Sequence, residues 1–261
     1  MKKLGLSRWL TTPLIIVAFL ICWELYIKIF EISPFILPRP IQVWHALVEL
    51  LSDVSTLHHA WVTLYETLAG FAIALVLGVG FGALLGKMPR LEEALMPFVV
   101  ALQVVPKVAL VPLFILWFGF GAGSKVVIAA VLAFFPIFTN TLLGVKSVDR
   151  GHRDVMESLN AGRMRTFLLL EFPSALPFVL AGMEVGIILA VIGAVVGEYL
   201  GGSVGLGSLA VATLNALQVN ALFAVILMLT VMGFALWVLI VLLRRLIIPW
   251  HESVAYAKAE H

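Results

Sequence analysis

Six long apolar stretches, separated by polar or glycine-rich connections, constrain this chain more than any other feature. Each is long enough to cross the hydrocarbon core of a bilayer, which takes about 20 apolar residues in an α-helix. The sequence therefore predicts an all-α integral membrane protein with six transmembrane helices and no separate soluble domain. The stretches lie at about 12–30, 66–87, 95–118, 124–145, 176–199 and 221–246.

The composition excludes several function classes. Hydrophobic residues make up 62% of the chain and charged residues 12%, whereas soluble domains have about 45–50% and about 25%. A disordered chain, a cytosolic enzyme and a nucleic-acid-binding tail are therefore excluded, and a net charge of +2 is too small to attract a polyanion. We expect no metal site, because Cys22 is the single cysteine and the adjacent His58 and His59 face different sides of a helix.

Lysine and arginine are concentrated on one side of the predicted topology. Of the 17 such residues, all but Lys28, Arg39, Lys107 and Lys125 fall on the side that carries both termini. Because cytoplasmic loops are enriched in these residues, we expect both termini and segment 146–175 to be cytoplasmic. Segments 31–65 and 200–220 are then outside. We interpret the first stretch as a retained span, since no small-residue cleavage site follows it.

Two predicted spans carry small residues spaced four apart, which places those residues on one helix face. In lipid, such ridges mark close contacts between helices. In the fifth span they also fit a helix that lines a translocation pathway, and the sequence does not separate these interpretations. The ridge of the second span is Gly70, Ala74, Gly78, Gly82 and Gly86. The ridges of the fifth span, which supply the pathway candidates Gly182, Gly186, Gly193 and Gly197, also contain Ala190, Ala194 and Gly201.

The third span contains three prolines, at positions 97, 106 and 112. Proline removes a backbone donor and frees a carbonyl, and in a membrane such a break survives only beside protein or a wet cavity. We therefore predict two helical pieces beside a pathway, with Gln103 and Pro106 as candidate lining residues. Lys107 either extends to an interface or binds the freed carbonyl.

Few ionisable residues lie at membrane depth. Glu24 and Lys28 have the spacing of a helical ion pair. Glu198 lies near the outer end of its span and is expected to reach the headgroups. Glu184 is either a functional group of the pathway or a residue close to the cytoplasmic interface. An alternative function follows from these two acids, namely an ion-coupled secondary transporter that acts through Glu184 and Glu198. Such folds usually show internal repeats, and we find none.

No catalytic constellation is present. The chain has no GxxxxGK[ST] loop for nucleotide phosphates and no HExxH or GxSxG motif. We therefore expect no enzyme activity and no cofactor bound by this chain itself.

Segment 146–175 is the most polar stretch between two spans. Its pattern predicts a short helix over about 149–159, a turn at 160–162, and a second short helix that ends at Pro173. A polar pair of helices at a membrane surface is suited to docking onto a soluble partner.

This segment resembles the cytoplasmic loop of the inner-membrane permeases of bacterial ABC importers. In that loop an EAA element is followed by three residues, a glycine and a proline-bearing element. Asp154-Val155-Met156 aligns with EAA, Asn160 with the glycine, and Glu171-Phe172-Pro173 with the last element. Aspartate keeps the charge of glutamate, and asparagine is the other residue that enters the left-handed conformation at low cost.

Further motifs are similar to the branch of that family that imports nitrate, taurine and alkanesulfonates. They are Leu37-Pro38-Arg39-Pro40, the run from Val105 to Leu113, Trp117-Phe118-Gly119 and Gly205-Leu206-Gly207.

The resemblance implies a type I permease fold over residues 1–261, in the inner membrane of a bacterium. It implies a homodimer that works with an external solute-binding protein and with two ATP-binding cassette subunits, which bind ATP and Mg. The loop would be the coupling helix that docks onto the ATPase. The aligned residues Asp154, Val155, Met156, Asn160 and Pro173 are the docking residues that the resemblance implies. We hypothesise that Arg153, Arg163 and Arg165 complete the docking surface; the alternative is that these arginines only enforce the topology.

Overall fold

The computed structural model describes the backbone of residues 4–249, with the side chains of residue 11 and residues 13–249. Every regular element within this part of the chain is helical. The α-helices are α1 (Leu4–Ile29), α2 (Pro40–Ser52), α3 (Val54–Lys87), α4 (Pro89–Val104), α5 (Val111–Phe118), α6 (Ala122–Lys146), α7 (Arg150–Ser158), α8 (Arg163–Thr166), α9 (Phe172–Gly201), α10 (Leu206–Asn215) and α11 (Val219–Ile247). A 3₁₀ turn covers Lys107–Leu110 and a π-helical turn covers Phe167–Glu171.

Four helices of the described chain are long and apolar enough to cross a membrane. They are α3, α6, the continuous helix Arg163–Gly201 and α11, and the bent pair α4–α5 gives a fifth candidate. The predicted first span, about 12–30, overlaps α1, which is not among the candidates found in the described residues. Helix α3 begins well before the predicted start of its span, because Asp53 caps it by accepting a hydrogen bond from the Ser55 N–H at 3.0 Å.

Helix α6 is the centre of the bundle and packs between α3 and α9. The small-residue ridge of α3 lies along it. At Gly70 an added Cβ would be 2.7 Å from the Val126 carbonyl oxygen, and at Gly86 it would be 2.8 Å from Val145 Cβ. The ridge therefore lets two backbones approach closely, as the sequence predicts.

Substitution of this ridge is expected to destabilise the protein. Gly70→Ala forces a methyl group against backbone, and overpacking of this kind costs about 1–3 kcal/mol. Gly80→Ala is the matched control, since nothing lies within 4 Å of a Cβ at that position. In thermal unfolding in detergent, we expect the midpoint of Gly70→Ala to lie below that of the wild type and the midpoint of Gly80→Ala to be unchanged. Equal midpoints for the two variants would contradict the close packing of α3 on α6.

The third predicted span is broken into two pieces, as predicted. Helix α4 ends at Val104, the chain turns through Pro106, and the pieces on either side are bent by 81°. Pro106 has no N–H to continue the ladder. The Lys107 ammonium donates to the carbonyl oxygen of Gln103 at 3.0 Å, so Lys107 binds a freed carbonyl.

Candidate functional site

The loop between α6 and α9 folds as a helix, a tight turn and a second helix. Asp149 caps α7 by accepting a hydrogen bond from the Gly151 N–H at 2.6 Å. Asn160 has a φ of 51°, the left-handed conformation that reverses the chain after α7. The predicted helix and turn are therefore present.

The predicted end of the second helix at Pro173 is wrong. The chain is helical from Arg163 to Gly201, and Pro173 lies in the first turn of α9. The π-helical turn Phe167–Glu171 directly precedes this proline. Such a turn shifts the hydrogen-bond ladder by one residue, so the missing N–H of Pro173 does not stop the helix.

The loop presents an exposed surface with apolar residues at its centre. Val155 is 57% exposed, Leu159 is 72% and Met164 is 68%. Such a cluster at the end of a helical bundle is typical of an interaction site. Most of the predicted docking residues are also exposed, while Met156 is half-buried. The exposed ones are Arg153, Asp154, Val155, Asn160, Arg163 and Arg165.

Ion pairs fix this loop to the ends of other helices. The Glu171 carboxylate lies 2.9 Å from Lys87 Nζ at the end of α3 and 3.8 Å from Arg153 of α7. Lys146 at the end of α6 lies 2.7 Å from Glu92 of α4. Glu171, which directly precedes α9, therefore links that helix to α7 and to the end of α3.

The glycines proposed for the pathway lie in the contact between α9 and α6. An added Cβ at Gly193 would be 2.7 Å from Ala129 Cα, and one at Gly182 would be 3.0 Å from the Pro136 carbonyl oxygen. Gly186 meets Ile137 and Gly197 meets Lys125 in the same way. All four are buried, so they pack α9 against α6.

Glu184 is paired with a cation near the loop end of the bundle. Its carboxylate lies 2.8 Å from Arg244 Nη1 in the last turn of α11. Glu24 and Lys28 also form the predicted pair, at 3.1 Å.

The bend in the third span places polar groups against the middle of α6. Lys107 Nζ lies 4.6 Å from the centre of the Phe135 ring. One helical turn along, the Gln103 amide donates to the Thr139 hydroxyl at 3.4 Å. Gln103 is exposed and Lys107 and Thr139 are half-buried, so these groups line an open surface rather than the core.

A buried polar cluster lies at the end of the bundle opposite the loop. It combines the carboxyl groups of Glu66 and Glu198 with the ammonium group of Lys125, from α3, α9 and α6, and each residue is at most 2% exposed. Lys125 Nζ donates to the carbonyl oxygens of Gly201 at 2.8 Å, Gly121 at 3.1 Å and Phe120. One cation thus joins the ends of three helical segments.

The same cluster holds the connection between α9 and α10. Glu198 accepts hydrogen bonds from the Thr63 hydroxyl and the Gly207 N–H, each at 2.6 Å. The Gly205 N–H donates to His59 Nδ1 at 2.9 Å. Gly205 has a φ of 117° and its backbone lies against the Glu198 carboxylate, so only glycine fits here.

Comparison with known proteins identifies the family. Residues 74–251 match the family described as "Binding-protein-dependent transport system inner membrane component". The chain belongs to this family. It is therefore an inner-membrane, multi-pass permease subunit of an ABC importer, and ATP is handled by separate ATPase subunits. The resemblance inferred from the loop is confirmed.

Several permeases are similar to this permease over most of its length. The formylaminopyrimidine transport permease protein ThiX of Halalkalibacterium halodurans is 35% identical over 90% of this chain and 93% of its own. The riboflavin transport system permease protein RibX of Chloroflexus aurantiacus is 35% identical over 97% and 95%. The taurine transport system permease protein TauC of Escherichia coli is 28% identical over 95% and 93%.

The buried cluster is the part of this permease that sequence reasoning missed. Glu198 is fully buried, so the expectation that it reaches the headgroups is wrong. Glu66 stood at the edge of a predicted span and was not singled out, although α3 continues past it to Val54. Gly205 and Gly207 of the Gly-Leu-Gly motif accommodate the Glu198 carboxylate.

Proposed function

We propose that this permease works as a homodimer of the type I fold with six spans per copy, α1 being the first. Two ATP-binding cassette subunits would bind the loops on the cytoplasmic side, where both termini lie. An external solute-binding protein would deliver solute to the opposite end. The family supplies the class of importer, and the lysine and arginine distribution supports the orientation.

One observation carries the coupling mechanism: the exposed loop is continuous with a helix that crosses the whole bundle. The helix Arg163–Gly201 begins in the loop and ends beside the buried cluster. Its 39 residues span about 58 Å at the rise of an α-helix. Closure of the ATPases would push α7 and α8, and the rigid helix would carry that displacement to the opposite end, where Lys125 and Glu198 hold the connection to α10.

The docking surface of this proposal consists of the predicted docking residues that are exposed, together with Leu159, which the structure adds. The predicted ones are Arg153, Asp154, Val155, Asn160, Arg163 and Arg165. Arg153 has two roles in it, since it is exposed and also contacts Glu171. Pro173 is not retained, because it lies inside α9 beyond the loop.

For the substrate we propose a small solute such as a sulfonate, taurine or nitrate. The similarity to the taurine transport permease TauC supports this choice, and the motifs around Pro106 support it by resemblance. RibX and ThiX are named for riboflavin and formylaminopyrimidine transport. The family excludes the alternative of an ion-coupled transporter that works without an ATPase. Glu184 is paired with Arg244, and Glu198 is buried and hydrogen-bonded.

The turn of the loop tests the coupling proposal. Asn160→Gly keeps the left-handed conformation and should retain transport, whereas Asn160→Val costs about 1–2 kcal/mol there and displaces α8 from α7. We expect Asn160→Val and Asp154→Lys to lose the stimulation of ATPase activity by the loaded solute-binding protein, measured in proteoliposomes with all partner subunits. Normal stimulation in both variants, with equal amounts of assembled complex, would refute the docking role of the loop.

A further inference from the structure

Lys107 lies at the middle of the membrane-spanning bundle. Its ammonium group rests on the ring of Phe135, which is close to the centre of α6 (Ala122–Lys146). At the rise of an α-helix, the ring is about 16–20 Å from either end of α6. Contacts on either side of Lys107 are consistent with this depth. Gln103 contacts Thr139 nearer the loop end of α6, and Ile115 packs with Ile128 nearer the opposite end.

The charge of Lys107 is not neutralised within the described residues. Its contacts there are the Gln103 carbonyl oxygen and the Phe135 ring, and no carboxylate in this part of the chain forms an ion pair with it. By contrast, the buried Lys125 donates to three carbonyl oxygens and lies in one cluster with the carboxyl groups of Glu66 and Glu198. A cation facing hydrocarbon at mid-depth is costly, so Lys107 must face water or an anion.

The surroundings of Lys107 are suited to an anion. Gln103 and Thr139 add an amide and a hydroxyl next to the ammonium group, and both can donate hydrogen bonds to oxyanion oxygens. The 81° bend at Pro106 keeps the backbone open at this level and prevents a regular helix from covering the side chains.

We propose that Lys107 is a specificity-determining residue of the translocation pathway, which favours solutes that carry a negative charge, such as a sulfonate, a nitrate ion or a carboxylate. The ammonium group attracts the anion at the midpoint of the pathway, and Gln103 and Thr139 bind its oxygens. This inference rests on the proposed function, since it takes the open surface beside the bend as part of the pathway.

Charge-selective thiol reagents test the inference without knowledge of the solute. In a Cys22→Ala background, Thr139→Cys provides one reporter thiol. Its reaction rates with the anionic reagent methanethiosulfonate ethylsulfonate and the cationic reagent ethyltrimethylammonium methanethiosulfonate are each divided by the rate with free cysteine. We expect the ratio of anionic to cationic rates to fall at least tenfold in Lys107→Met and to be retained in Lys107→Arg.

A distant lysine provides the control. Lys28→Met removes an exposed cation of α1 and should leave the ratio unchanged. A reporter that reacts with neither reagent, or a ratio that does not respond to Lys107→Met, would overturn the inference.

A parallel measurement separates this inference from the proposed function. In the complete importer, the stimulation of ATPase activity by the loaded solute-binding protein is measured. If this stimulation is normal but the ratio of anionic to cationic reaction rates does not change in Lys107→Met, the inference alone fails. If the ratio responds but no ATPase subunit couples to the permease, the proposed function fails and the inference, which needs the pathway, falls with it.

Discussion

Lys125→Met is expected to lower the midpoint of thermal unfolding in detergent by about 10 °C. The substitution leaves the carboxyl groups of Glu66 and Glu198 buried without their cation, and it removes the donor for three carbonyls. Removal of one partner from a buried charge cluster costs about 3–5 kcal/mol, and each kcal/mol shifts the midpoint of a protein of this size by roughly 2–4 °C. Differential scanning fluorimetry of the purified permease measures this shift.

The control for this substitution is Lys146→Met on the same helix. Lys146 is paired with Glu92, but its side chain is 51% exposed, and an exposed pair contributes about 0–1 kcal/mol. A midpoint for Lys125→Met as high as that of Lys146→Met would contradict the role assigned to the cluster.

A second variant tests whether the loss is electrostatic. Adding Glu66→Gln to Lys125→Met removes one of the two uncompensated carboxyl groups, so part of the lost stability should return. A double variant that is less stable than the wild type by the sum of the two single effects would show that these groups do not interact.

Leu159→Ser is expected to weaken binding of the ATPase subunit by about 10- to 100-fold. The leucine is 72% exposed in the isolated chain, and burying such a side chain in a partner contributes about 1.5–3 kcal/mol. ATP-driven uptake should fall by a similar factor, since the loop is the proposed point where energy enters. Binding is measured with purified ATPase subunits and the permease in nanodiscs.

Leu169→Ser serves as the matched control for the loop. Leu169 is 70% exposed but lies in the π-helical turn that leads into α9, outside the proposed docking surface. Equal losses in Leu159→Ser and Leu169→Ser would show that any exposed leucine of this region matters equally, and the docking surface as defined would be wrong.

Local patterns predicted much of this structure correctly. The α3 ridge from Gly70 to Gly86, the break at Pro106 and the left-handed Asn160 each follow from the intrinsic properties of a residue, namely its size, its missing N–H or its accessible backbone angles. The predicted helix end at Pro173 was wrong because it rested only on the missing N–H of proline. The preceding π-helical turn had already shifted the hydrogen-bond ladder, and this geometry has no simple sequence signature.

The chain's hydropathy, glycine spacing and loop motif were sufficient to determine that it crosses a membrane, that its helices pack closely, and that it is an importer permease. Only the tertiary structure decided the environment of each ionisable group. Glu198 is enclosed, Glu184 is paired, and Lys107 is left without a counter-charge in the described chain. The physical reason is that helix packing brings together residues far apart in sequence, so burial and pairing depend on which helix faces meet.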